Sequence, residues 1–384
     1  MANRSSTELS PPATPTKAST LSGSAGADAA FDTFRATKVF RSLDGLRAFS
    51  IIAVIGFHAV HPPGLLFSHG NLGVELFFAI SGVLITSLLL RERDTSGQIS
   101  LYNFYVRRSL RIFPLYYAVL MAYVALTYLM ERDTDRGQTF FSNLPAFLTY
   151  TSNWFVTLST TTTTIFFFAW SLATEEQFYL FWPSIVRYSR KRFLPVVAIL
   201  LVMLAGEVVR YVVRAGWTDG RAIPLRMIQS TASAICLGCV AAYALHHRRS
   251  FRVLYAIAGR VWSVPAAVLL LVGTVSFAPA GLAISLTMVF LVVACIIRER
   301  HCLSWMLDNR PIRHIGMISY GMYLMHMLTY NFVRKIVPPA AGRWATFLVT
   351  LAAVIAVASL SFRFFERKVQ GLKKHLERRT GAQA

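Results

Sequence analysis

From Ser42 onward the chain alternates between apolar runs and short basic loops. About 20 mostly apolar residues, rising ~1.5 Å each, carry a helix across the hydrocarbon core of a bilayer. Runs of that kind fall at 43–62, 73–90, 112–130, 164–186, 193–213, 224–245, 261–279, 280–297, 315–333 and 344–362. They predict an all-α membrane protein, a bundle of about ten transmembrane helices. A further run, 140–156, has the length of either a span or a re-entrant segment. Residues 1–34 are rich in Ser, Thr, Ala and Pro and lack the apolar stretch of a signal peptide, which predicts a disordered tail over 1–38. Residues 369–384 read as a basic tail after the last span.

Composition agrees with the pattern. Hydrophobic residues make up 55% of the 384 positions and charged residues 15%, against about 25% in a soluble protein. The net charge of +21 would suggest nucleic acid in a soluble chain, so the positions of the charges decide its meaning. With ten spans and both termini on one side, 29 of the 39 Lys and Arg lie on that side, nine lie opposite, and Arg47 falls within the first span. Loops rich in Lys and Arg stay cytoplasmic. The expectation is a multi-pass protein of the bacterial cytoplasmic (inner) membrane with both ends cytoplasmic, 131–163 outside or partly re-entrant, and no nucleic-acid partner. Cys236 and Cys239 form a C-x-x-C inside an apolar run, with no second pair or histidine at ligand spacing, so neither metal nor disulfide chemistry is expected.

Ionisable side chains are costly within a bilayer, which makes each one a functional candidate. Arg47 and His58 are eleven residues apart in RSLDGLRAFSIIAVIGFHAV. On a helix that spacing returns to the same face about 16 Å along the axis. Either both snorkel to the interfaces, or the pair serves chemistry, with His able to titrate near neutral pH. Glu75, in GVELFFAISGVLIT, suits a proton relay or an orienting contact to a histidine, or is an interfacial carboxylate. Arg107, Arg108 and Arg111 follow in FYVRRSLRIFPLYY, placed either to anchor the loop or to bind phosphates. Glu175 and Glu176 sit in FFFAWSLATEEQFYLFWP, about 100° apart around a helix, so one can face a cavity while the other meets a neighbouring helix. Glu207 and Arg210, at i and i+3, read as a structural pair. His326, in SYGMYLMHMLTY, reads first as a satisfied core histidine, and Glu366 as a local ion pair in SFRFFERKV.

Together these segments resemble integral-membrane acyltransferase family 3, the sugar O-acetyltransferase type. An Arg and a His separated by ten residues match Arg47 and His58. The G-V-D/E-L/I-F-F-x-x-S-G-F-L-I-T stretch matches Gly73 to Thr86, and the R-R-x-x-R-I-x-P-x-Y loop matches Arg107 to Tyr116. W-S-L-x-x-E-x-Q-F-Y matches Trp170 to Tyr179, and S-Y-x-x-Y-L-x-H matches Ser319 to His326. The resemblance runs over about residues 39–375 in the family's order, making 39–368 the expected transmembrane acyltransferase domain. One departure is Phe168, where many members carry a His two residues before the Trp. A hydrolase-like domain present in some members is not expected here.

The resemblance implies transfer of an acyl group, usually acetyl, from acyl-CoA to a sugar hydroxyl on a polysaccharide, lipid-linked glycan or glycosylated metabolite, with no bound cofactor. It implies the bilayer, a sugar-containing acceptor and polysaccharide-assembly proteins as partners. It also implies His58, Arg47, Glu75 and Glu175 as catalytic residues, Arg107, Arg108 and Arg111 as donor-binding, and Glu176, Tyr179 and His326 as further site residues. A neutral imidazole suits proton removal from a sugar hydroxyl. The competing class is a transporter or flippase whose intramembrane ionisable groups line a path, although the sequence shows no self-similar halves. A scaffold in a polysaccharide-assembly complex is a third reading.

Overall fold

The computed structural model describes residues 23–37, 39–60, 69–70, 72–156, 164–277 and 281–372. In chain order the helices begin with α1 (Gly23–Ala36), α2 (Arg41–Val60), α3 (Leu72–Ser96), α4 (Leu101–Met130), α5 (Asp135–Leu148) and α6 (Ser152–Phe155). They continue with α7 (Ala169–Tyr188), α8 (Leu194–Arg214), α9 (Ile223–Gln229), α10 (Ser233–His246), α11 (Arg248–Ala258) and α12 (Ser263–Phe277). Last come α13 (Gly281–Ile297), α14 (Ser304–Leu307), α15 (Arg310–Ile336), α16 (Gly342–Ser361) and α17 (Arg367–Gly371). No strand occurs among the described residues.

The all-α expectation holds, but the count of about ten spans does not. Among the described residues, five helices are long and apolar enough to cross a bilayer: Arg41–Val60, Leu72–Ser96, Leu101–Met130, Leu194–Arg214 and Pro339–Gly371. Two bent pairs, α9 with α10 at 45° and α11 with α12 at 77°, raise the number to seven if each is one span. The other predicted runs fall short for physical reasons. The helix α7 carries Glu175, Glu176 and Gln177 at its centre, and α15 interrupts its apolar run with Ser319, Tyr320, Tyr323, His326 and Asn331. The helix α13 has 17 residues, about 26 Å of rise, which is less than the ~30 Å hydrocarbon core. The ambiguous run 140–156 forms parts of the short helices α5 and α6.

A second correction concerns the N-terminal tail. Gly23–Ala36 is helical rather than disordered, and it docks on α11. Phe31 and Phe34 are buried, with ring centroids 5.1 Å and 5.7 Å from that of Phe251. Around this patch Asp28 accepts from Arg252 at 2.8 Å and Asp32 from Arg248 at 3.2 Å. The expected disorder of residues 1–22 lies outside the described residues, as does the basic tail beyond residue 372.

The centre of the bundle is formed by α3, which lies along α10 and also contacts α2, α13 and α7; α15 lies along α2 and α16. Helices approach this closely where small residues remove side-chain bulk. At the α3–α10 crossing a Cβ on Gly238 would come within 2.7 Å of the Ala79 carbonyl oxygen, and one on Gly82 would collide with the Ile235 carbonyl. Cys236 and Cys239 are buried free thiols in α10. Glu366 lies buried in a π-helical turn, Phe362–Glu366, that continues α16, and accepts from Ser361 at 3.5 Å. No ion pair of Glu366 occurs among the described residues, unlike the sequence reading.

Candidate active site

Three cavities follow one another along the bundle, and most of the predicted site residues divide among them, while His58 and His326 line none of the three. The first, 1090 Å³, lies at the end of the bundle where α2 and α4 begin and α3 ends. Arg35, Arg47, Arg91, Arg107, Arg108 and Arg111 line it, with Glu92 as the acid among them. The helix α4 starts on a Ser100 cap, whose Oγ accepts from the Asn103 amide, and so carries Arg107, Arg108 and Arg111 on its second and third turns. Glu92 accepts from Arg107 at 3.4 Å, and Arg91 donates to the Thr37 and Phe34 carbonyls behind α1. Arg35 is paired with Asp94 at 3.3 Å, and Arg108 and Arg111 add further positive charge to the lining.

The second cavity, 90 Å³, shares Arg47, Ser81, Arg108 and Arg111 with the first and lies deeper. Here Glu175 accepts from the Ser81 hydroxyl and from the Tyr179 hydroxyl at 3.2 Å, while Tyr179 also donates to Ser81 at 3.0 Å. The Arg108 guanidinium stacks over the Tyr179 ring at 4.2 Å. Glu176 lines the same cavity. Arg47 reaches Asp44 at 3.5 Å, one turn earlier on α2.

Beyond it, near the opposite end of the bundle, His58 and His326 come together with ring centroids 5.3 Å apart. His326 is buried, and its Nδ1 lies 2.5 Å from the Tyr323 carbonyl. A carbonyl only accepts, so Nδ1 carries the proton and Nε2 presents a lone pair; Nε2 is buried and has no hydrogen-bond partner among the described residues. Phe168 packs its ring 5.1 Å from that of His326, and Phe167 packs 5.5 Å from His58. The apolar side chain at 168 therefore stands against the histidine pair.

The third cavity, 770 Å³, opens at that same far end and contains Glu75, 3.5 Å from the Ser285 hydroxyl. Phe167 and Phe78 border it; Phe78 also borders the second cavity. The Glu207–Arg210 pair is present at 2.8 Å, and Arg210 also donates to Ser233 and to the Gln229 and Thr231 carbonyls. Arg47 with Glu175 and Tyr179, and His58 with His326, are thus brought together as two groups, while Glu75 stands in a separate cavity.

The sequence reading missed three contributors. Asp44 was signalled by its i, i+3 spacing to Arg47 and Ser81 by its place in the Gly73–Thr86 stretch. The third is a cluster of Ser42, His301 and Asp308: Ser42 donates to Asp308 at 2.7 Å and lies 3.1 Å from His301 Nε2. His301 Nδ1 accepts from the Leu303 amide, so the proton sits on Nε2 and the imidazole donates to the serine. Burial lowers the pKa of His301, in keeping with this neutral form. Its lone pair is already engaged, so the cluster ties α2 to the 301–308 loop and contains no nucleophile-activating base.

Comparison with known proteins bears on the arrangement as a whole. The family described as acyltransferase domain matches residues 40–363, most of the chain and all of the lining of the three cavities except Arg35, Ala36 and Gln370. The chain belongs to this family. Within it, the chain is similar to the peptidoglycan O-acetyltransferase OatA of Listeria monocytogenes, 27% identical over 361 residues, covering 87% of this chain and 56% of that protein. YrhL of Bacillus subtilis, provisionally named for the same activity, is 30% identical over 367 residues, covering 85% and 54%. A provisionally named O-acetyltransferase of Staphylococcus aureus is 27% identical over 375 residues, covering 89% and 59%. The chain therefore spans little more than half the length of the curated relatives it matches. No solved structure matches it. With its long apolar helices, this acyltransferase-family chain is a multi-pass protein of the bacterial inner membrane.

Proposed function

We propose that the protein is an O-acyltransferase that moves an acetyl group from acetyl-CoA to a hydroxyl of a sugar in a cell-envelope glycan. The observation that carries this reading is the arginine-lined cavity and its continuity with the smaller one beyond it, through Arg47, Ser81, Arg108 and Arg111. Guanidinium groups bind phosphate oxygens through short, charge-assisted hydrogen bonds. The nucleotide and pyrophosphate of CoA suit the larger cavity, and the extended pantetheine arm suits the narrow one. The basic end faces the cytoplasm, where CoA is found, because Lys and Arg collect on the cytoplasmic side. Both chain ends then lie at the cytoplasmic face.

His58 acts as the general base. The hydroxyl oxygen attacks the thioester carbonyl carbon as His58 removes the hydroxyl proton; a C–O bond forms, the C–S bond breaks, and CoA leaves as thiolate. Arg47 compensates the negative charge that develops on the donor side. Glu175, Glu176 and Tyr179 hold the passage in a fixed shape, and Glu75 lies on the acceptor side. The names of the relatives from Listeria and Bacillus support a glycan acceptor.

The test uses purified full-length protein in nanodiscs with isotope-labelled acetyl-CoA and cell-envelope glycan fragments, read by mass spectrometry. Label covalently attached to a sugar hydroxyl is expected. In proteoliposomes, movement of glycan or acyl groups across the bilayer without covalent change would replace this reading with a transporter.

A further inference from the structure

The 770 Å³ cavity at the far end has the size of a small-molecule site and a lining unlike the arginine-rich one. Trp170 and Phe78 form one wall, with ring centroids 6.1 Å apart in an edge-on arrangement. Asn153, Gln229 and a run of Ser and Thr hydroxyls supply hydrogen-bonding groups around it. An aromatic wall with amide and hydroxyl groups suits a sugar ring, which has apolar C–H faces and a polar rim.

Its charges are unequally committed. Three arginines and two glutamates line the cavity. Glu207 and Arg210 satisfy each other, and Arg210 is further held by two carbonyls and Ser233. Arg226 donates to the Val156 carbonyl at 2.9 Å, which orients it at the cavity wall. Arg214, on the last turn of α8, has no ion pair or hydrogen bond among the described residues and is exposed to the cavity. Glu75, against Ser285, lies deeper on α3. With the Glu207–Arg210 pair set aside, two guanidinium groups face one carboxylate.

We propose that this cavity is the acceptor subsite and that it selects a sugar bearing an anionic substituent, a carboxylate or phosphate, which Arg214 and Arg226 bind while Trp170 meets the ring. This rests on the acyltransferase reading above and adds the chemical class of its acceptor. Phe167 borders the cavity and packs against the His58 ring, so the Phe167 ring is what separates a sugar in this position from the proposed base.

The test measures binding separately from turnover. Saturation-transfer NMR on the full-length protein in nanodiscs compares N-acetylglucosamine, N-acetylmuramic acid (the same ring with a lactyl carboxylate), N-acetylglucosamine 6-phosphate, and glycerol 3-phosphate as a lipid-headgroup anion without a sugar. The two anionic sugars should bind about tenfold more tightly than the neutral one and than glycerol 3-phosphate, a gap that narrows as salt is raised. Arg214→Gln should remove part of that preference, and Arg214→Gln with Arg226→Gln nearly all of it. Equal binding of neutral and anionic sugars, or a preference that survives both substitutions, overturns the proposal. So does glycerol 3-phosphate binding as well as the sugars, which would make this a lipid-headgroup site. Selective binding without acetyl transfer would leave the subsite standing and refute the acyltransferase reading; transfer without selectivity would do the reverse.

Discussion

The two large cavities differ in how they treat charge. At one end six arginines meet one lining glutamate, while at the other three arginines meet two glutamates and one pair is closed on itself. In the first, three of the six are paired with carboxylates, Arg35 with Asp94, Arg47 with Asp44 and Arg107 with Glu92, and the others leave a cationic excess. The second resembles a carbohydrate site, with aromatic faces, amides, hydroxyls and a small cationic excess. One bundle can accommodate two such environments because α3 and α7 each run from one end to the other, carrying Glu75 and Trp170 at one end and Glu92 and Arg187 at the other. Between the ends lies the small polar cavity around Ser81, Glu175 and Tyr179, and the histidine pair packs against its Tyr323 wall.

The strongest way to break this comparison is to disable the junction. His58→Ala should lower acetyl transfer by about 100- to 10,000-fold at equal protein amounts, with unchanged membrane insertion. His58→Gln should be little better, because an amide accepts a hydrogen bond but does not take up the proton. Near-normal turnover by His58→Gln would remove the base role. Next in size, Arg108→Ala combined with Arg111→Ala should raise KM for acetyl-CoA by about tenfold or more, since hydrogen bonds to charged groups contribute ~1.5–3 kcal/mol each. Acceptor KM should stay within about twofold. Equal changes in both would mean that the basic end does not discriminate donor from acceptor.

A smaller effect is expected within the passage. Ser81→Ala removes a donor to Glu175 and an acceptor from Tyr179, and should cost ~1–3 kcal/mol of stability, read as a lowered thermal midpoint in detergent. No shift would mean that the Glu175 network is not part of the folded core. The smallest effect concerns α1. The hydrogen bond from Arg252 holds the Asp28 carboxyl below its ordinary value of 3.8. That contribution is therefore present at neutral pH and is lost as the pH falls through the depressed folded value. Asp28→Asn at pH 7 should speed amide exchange across α1 modestly, whereas the wild-type helix should loosen this way only in acid. Unchanged exchange would mean that the Asp28–Arg252 pair does not hold α1 and that Phe31, Phe34 and the other ion pairs of α1 do.

These regions were not equally legible in the sequence. The Arg107–Arg111 stretch of α4 and the Trp170–Tyr179 segment could be read because their side chains are of unusual type for an apolar setting, and each lines a cavity. The span count could not be read the same way: α7 and α15 look apolar in a linear window, yet polar residues of both line the small cavity, and the bend at 230–232 divides the run 224–245, which looks continuous. The docking of α1 had a local signal, Phe31 and Phe34 beside Asp28 and Asp32, hidden within a stretch of low complexity. The facing of His58 and His326, 268 positions apart, depends on how α2 and α15 pack, which no local pattern encodes.

The glycine crossing of α3 and α10 has a consequence for the cell. A carrier works by letting one group of helices swing against another, so that a chamber opens first to one side and then to the other. Here α3 is a wall of both large cavities, and at Gly82 and Gly238 its backbone rests directly on that of α10, with no side chain between them to repack. The wall is thus a fixed bulkhead. For the proposed reaction, this lets a cell export a two-carbon unit while retaining the costly nucleotide that brought it, without breaching the seal that holds its ion gradients.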